Sequence, residues 1–327
     1  MPNNNTSFRP LRRVVLAGLF SLAAGLVQAQ SSAPVRILVG FPPGGGTDAI
    51  ARVLADKLKD QLGVPVVVDN RAGAGGQIAA QALKAAPADG HTFFLSHDHS
   101  ISILPLVTRN PGFDPATDFV PVAGFATFAN ALAVSAGTPA KSLPEYVKFV
   151  QGNGGKDTVG VPAPGSIPEF LVGMVGTKYK LDLQAAPYRG SAPMMQDMLG
   201  NQIKAGVASI PDFMENHKAG KLRIVAVIGD KRQAVLPDVP TFAELGVAGL
   251  EDLPYYGLFA PAGTPAPVIE HFNQALAKVI AMPDVREQLT TMGLTVAFQP
   301  QAQFAQRVKT YTQTWDRIIK ASGFQPK

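Results

Sequence analysis

Phe41, Pro42, Pro43, Gly44, Gly45, Gly46 and Thr47 stand between a run of strand formers at residues 35–39 and an apolar stripe of helical spacing, Ile50, Val53, Leu54, Leu58 and Leu62. A turn of this kind offers bare backbone N–H groups beside the positive end of a helix, which suits a carboxylate or another anion. One glycine is enough for a tight strand-to-helix connection, and three in succession cost backbone entropy. Gly44, Gly45, Gly46 and their neighbours are therefore read as ligand contacts. Asp48 would repel an anion and is read as the cap of the following helix.

His97, Asp98 and His99 form the second cluster with chemical potential. Imidazole and carboxylate are metal ligands, but alternate residues of an extended segment point to opposite faces, and no third ligand is apparent. No metal and no cofactor are assigned. The cluster is read as polar side chains, including a titratable histidine, lent to a cleft. The glycine-rich residues 73–76 lack the G-x-G-x-x-G spacing of a dinucleotide site and are read as structural. There is no G-x-S-x-G elbow, H-E-x-x-H pair or phosphate-binding loop with its lysine, so no catalytic residue is assigned. The absence of cysteine excludes disulfides, thiol catalysis and thiolate metal sites.

These residues need elements to position them. Strand and helix signals alternate along the whole chain: strands at residues 35–39, 64–68, 92–96, 158–161 and 222–228, and helices behind residues 46, 76, 142, 166, 191, 211 and 265. The near-continuous apolar character of residues 92–96 suggests a strand buried on both faces. Such alternation predicts doubly wound α/β lobes with ligands beyond the C-terminal ends of the strands. The length calls for two lobes. Lobe 1 is expected from residues 30–131 and 256–327, and lobe 2 from residues 132–255, with a hinge where the chain crosses twice. The C-terminal stripe of Phe304, Val308, Tyr311, Trp315, Ile318 and Ile319 reads as core.

Residues 1–29 read as an export signal, with Arg9, Arg12 and Arg13 ahead of an uncharged apolar stretch and Ala29 at the expected cleavage point. Three arginines and no acid lie there, so the formal charge of +5 falls to near +2 in the exported chain. That small charge does not describe a nucleic-acid binder. The expected compartment is the periplasm.

Residues 41–48 resemble the first signature of the Bug (Bordetella uptake gene) family, the extracytoplasmic receptors of tripartite tricarboxylate transporters. Further matching pieces follow in order at residues 70–76, 86–92, 187–191, 236–241 and 260–265. The resemblance implies a type II periplasmic-binding fold, two lobes joined by a two-segment hinge, and a carboxylate held in the cleft. The implied first-lobe loops are Phe41, Pro43, Gly44, Gly45, Gly46 and Thr47, and then His97, Asp98, His99 and Ser100. The implied second-lobe contributors are Ser166, Tyr188, Gly190, Ser191 and Ser209.

Glu169 departs from the family pattern, which often has histidine there. It reads as the partner of Ser166 in a capping box, with a ligand contact as the alternative. At the cleft, Glu169 and Asp98 would both disfavour a second carboxylate on the ligand, pointing to an amide, amino or aromatic group. The expected partners are a small carboxylate and membrane transporter subunits, with the receptor itself a monomer and not an enzyme. A ligand-loaded sensor is the alternative, and a hydrolase or transferase using the same anion pocket a more distant one.

Overall fold

The computed structural model describes Met1 and residues 33–326. Apart from Met1, the export segment expected at residues 1–29 lies outside them. Eleven strands are present among the described residues: β1 Val35–Val39, β2 Val66–Asn70, β3 Thr92–His97, β4 Phe119–Phe128, β5 Asn130–Ser135, β6 Lys156–Val161, β7 Asp182–Pro187, β8 Ala205–Ser209, β9 Leu222–Val227, β10 Tyr255–Pro261 and β11 Leu294–Gln299. They make two sheets, in the orders β11-β4-β10-β3-β1-β2 and β7-β6-β8-β5-β9.

The two sheets repeat one topology that no sequence repeat announces. β1 lies between parallel neighbours β2 and β3, and β10 returns antiparallel beside β3. In the second sheet β6 lies between parallel β7 and β8, with β5 antiparallel beside β8. The antiparallel strands β5 and β10 are the ones that begin after the chain has crossed between sheets. Ala129 alone separates β4 from β5, and residues 228–254 lead from β9 back to β10. Phe128 N donates to Pro254 O at 3.1 Å, which ties the two crossings together.

Strand registers explain why the candidate residues converge. Val39 of β1 pairs with Leu95 of β3, so the glycine turn after β1 and the segment after β3 leave the sheet side by side. Val161 of β6 pairs with Pro187 of β7, which does the same for the second-lobe turns.

Both faces of the first sheet are covered. Ile37, Val39 and Phe93 pack beneath helices Gly46–Leu62 and Ala266–Ala281, while Leu38 and Phe94 face the cluster that holds Phe304, Tyr311 and Trp315 of helix Gln301–Ser322. That two-sided burial is why the strand reads as continuously apolar. Phe304 lies so close to the sheet that a Cβ at Gly257 would come within 2.1 Å of its ring. The second core gathers Tyr146, Val159, Met194, Val207 and Ile224.

Some local expectations shift. β2 begins two residues later than expected, and β4 carries no strand signal strong enough to be recognised beforehand. His97 ends β3 and helical backbone opens at His99, so the segment is not extended throughout. Ile101, Ile103, Leu104 and Val107 are all buried, and a helical path brings them into one core.

Candidate functional site

A cavity lies between the two sheets, with about 50 Å³ open to the centres of water-sized molecules. From the first sheet's side it is lined by Phe41, Gly45, Thr47, His97, Asp98, His99, Phe128 and Tyr256. The second sheet's side gives Asn130, Pro162, Ala163, Ser166, Ile167, Pro168, Ser191, Ser209 and Asp212. Neither lysine nor arginine is among these residues.

Four helices start at this cavity: Gly46–Leu62, Ile167–Tyr179, Ser191–Leu199 and Ile210–Lys218. Each follows a strand end, so their unpaired N–H groups and positive dipole ends converge on one small volume. The arrangement favours negative charge.

One negative group already sits there. Asp212, at the start of helix Ile210–Lys218, accepts from Gly46 N at 2.8 Å and Ser191 Oγ at 2.5 Å with one oxygen. Its other oxygen accepts from Ser209 Oγ at 2.6 Å and Ser209 N at 3.2 Å. The Gly46 bond crosses from one lobe to the other. The neighbouring glycines serve the same approach: a Cβ at Gly45 would lie 2.9 Å from Ser191 Oγ, and one at Gly190 would lie 2.5 Å from Pro42. Thr47 Oγ1 meets Tyr256 OH at 3.1 Å, within the first lobe. The two lobes touch here, and the glycine turn forms the first lobe's side of that contact.

Asp48 is not the N-cap, a position held by Gly45. It lies at the third helical residue and reaches back to Gly44 N at 3.0 Å, while also accepting from Arg52 and Asn70. Burial would raise its pKa, but these hydrogen bonds and the Arg52 charge outweigh that and hold it below the usual carboxylate value.

His97 ends β3 with its ring stacked on Phe41 at 5.1 Å and edge-on to Tyr256 at 5.4 Å. Asp98 is buried, with His97 Nδ1 and Tyr311 OH each at 3.3 Å. His99 is buried with no partner on either ring nitrogen among the described residues. Burial first, and then the His97 charge, push its pKa down to about 3, so the ring is neutral at ordinary pH. Burial, and next the Asp212 charge, raise Tyr256 well above the usual phenol, keeping its hydroxyl protonated.

Of the residues expected from sequence, Phe41, Gly45, Thr47, His97, Asp98, His99, Ser166, Ser191 and Ser209 line the cavity. Pro43, Gly44 and Gly46 line an adjoining outer groove together with Gly45. Ser100 turns away and donates to Gly75 O at 2.7 Å. Glu169 accepts from Gly165 N, so it closes the start of its helix one residue before Ser166. Ser166 Oγ donates to Ala163 O at 2.7 Å and gives no side-chain cap. Tyr188 OH donates to Asp197 at 2.7 Å, and Gly190 lies at the lobe contact.

Sequence reasoning did not reach Phe128, Asn130, Pro162, Ala163, Ile167, Pro168 or Asp212. Phe128 and Asn130 flank a crossing within unrecognised strands. Asp212 had one usable signal, an acid three residues after Ser209 in a capping-box spacing, and that box is formed.

Two lobes, each with a central sheet and with a cavity between them, define a periplasmic-binding-protein fold. Residues 50–324 match the tripartite tricarboxylate transporter family receptor, and the chain belongs to that family, which includes the Bug proteins. A protein from Pseudomonas sp. strain P51, described as the UPF0065 protein in the tcbD-tcbE intergenic region, is 34% identical, with 94% of each chain covered. BugT of Bordetella pertussis is 30% identical over 97% of this chain and 99% of its own. Among solved structures, R. palustris Rpa4515 with adipate shows 30% identity, a TM-score of 0.85, and coverage of 91% of this chain and 100% of that one. MatC from Rhodopseudomonas palustris with bound malate shows 28% identity, a TM-score of 0.79, and coverage of 88% and 98%.

Proposed function

We propose that this chain is a periplasmic solute-binding receptor that captures a small organic acid in the cleft and presents it to a tripartite tricarboxylate-type transporter. The observation that carries the reading is the convergence of four helix starts on a cavity between lobes. Membership of the receptor family and the acids in the solved relatives support it. The ligand's carboxylate is held by the turn at Gly45 and Thr47 and by the facing starts at Ser166 and Ser191. The aromatic group of Phe41, His97, Phe128 and Tyr256 walls the remainder.

The mechanism is capture without bond making. Among the described residues, 34–131 and 256–326 move as one body and 132–255 as the other, turning about the paired crossings at Ala129 and Pro254. Closure changes the surface offered to the transporter subunits, and ligand shifts the population towards it. No helix among the described residues is long and apolar enough to cross a membrane. In this reading the export segment is removed after Ala29 and the receptor acts as a monomer.

The test is to denature the purified exported protein and identify any small molecule it releases by mass spectrometry. An organic acid released in stoichiometric amount, and rebound without conversion, is the expected result. A compound that the protein chemically converts would overturn the reading.

A further inference from the structure

The cavity lining holds two carboxylates and neither lysine nor arginine. Asp98 and Asp212 line the cavity with His97 and His99; His97 Nδ1 lies 3.3 Å from Asp98, and the His99 ring is neutral. The two carboxylates differ in how far they are satisfied. Asp212 accepts from four donors, about the full capacity of a carboxylate. It also takes up much of the positive potential of the helix starts around it.

Asp98 is 2% exposed, and its two contacts among the described residues are at the long limit of 3.3 Å. A carboxylate accepts about four hydrogen bonds, so Asp98 retains acceptor capacity where water is scarce. Beside it, both His99 ring nitrogens are buried and unpartnered among the described residues. Buried polar atoms left in this state are rare.

We propose that the cavity selects a monoanionic acid bearing a nitrogen-bound hydrogen-bond donor, an amide or an ammonium, which Asp98 accepts, and that it rejects dicarboxylates of the same size. The inference rests on the carboxylate-capture reading given above. A second ligand carboxylate would meet Asp98 with neither lysine nor arginine in the cavity lining to offset it. At about 5 Å and an effective dielectric of about 20, such a like-charge contact weakens binding on the order of a hundredfold. An N–H in the same place completes the Asp98 shell. The chain would then differ in specificity from its relatives solved with adipate and malate.

Isosteric pairs test this directly. The exported protein is titrated calorimetrically with succinate and succinamate, glutarate and glutaramate, adipate and adipamate, and the aromatic pair phthalate and phthalamate. The expected result is that, in every pair that binds, the monoamide binds at least about tenfold more tightly. In Asp98→Asn, with folding checked by its melting transition, the preference should fall to within about twofold. A dicarboxylate that binds as tightly as its monoamide overturns the specificity and leaves the capture reading standing. A preference that survives in Asp98→Asn overturns the role of that residue. No binding by any pair overturns both readings.

Discussion

Asp212 is a carboxylate that the cleft supplies to itself. Its bond to Gly46 N joins the lobes, so an amide expected to hold a ligand is already taken by the protein's own carboxylate. Replacing it with alanine leaves Ser191 and Ser209 without their acceptor and removes one lobe contact. Asp212→Ala is expected to be less stable by about 1–3 kcal/mol, the usual cost of losing a half-buried acceptor and a cap. It should also show a larger radius of gyration without ligand by small-angle scattering; an unchanged profile would count against the latch. His99 gives a pH signature. Its folded pKa is near 3 and the model-peptide value is 6.5, so the unfolded chain takes up the proton first. Stability is complete above pH 6.5 and is lost as the pH falls towards 3. At pH 4.5 the loss is about 2–3 kcal/mol. Urea unfolding at pH 7 and 4.5 should show that loss in the native protein and much less of it in His99→Phe. Equal slopes would refute the assignment.

At the scale of elements, the glycine turn and the second-lobe helix starts form one contact surface. Gly190 has a φ of 109° and sits against Pro42, so an added methyl meets both backbone strain and a first-lobe ring. Gly190→Ala should weaken ligand affinity at least about tenfold by holding the lobes apart, measured by calorimetry. Glu169 separates the two roles weighed for it in the sequence. As a closing residue for helix Ile167–Tyr179, its change to alanine should cost about 1 kcal/mol in urea unfolding and leave affinity within about twofold. A large loss of affinity would restore it to the site. Helix Gly46–Leu62 was legible because its apolar stripe and its glycine turn are both local signals. Strand β4 was not, because Gly124 and Pro121 dilute its strand character and its pairing with β10 depends on residues more than a hundred positions away.

At the scale of the molecule, alternating strands and helices foretold two α/β lobes and a chain that crosses twice. The mixed sheet orders were beyond reach, since β5 and β10 join their sheets through contacts that no local pattern encodes. The lining of the candidate site was legible where it rests on turns, as at Gly45, Thr47 and Ser191. It was hidden where the lobes meet, as at Asp212, whose bond to Gly46 joins residues far apart in the sequence. The same geometry gives the most direct test of capture between lobes. Gly45 has φ −85° and ψ 167°, a conformation open to any residue, so valine there strains nothing locally. Its Cβ nevertheless falls 2.9 Å from Ser191 Oγ and obstructs closure over the ligand. Calorimetric titration of native protein and Gly45→Val with the acid released from the native protein should show one-site binding in the first. In the second, affinity should be at least about tenfold weaker with the melting temperature preserved. Equal affinity in the two proteins would contradict a binding site enclosed between the lobes.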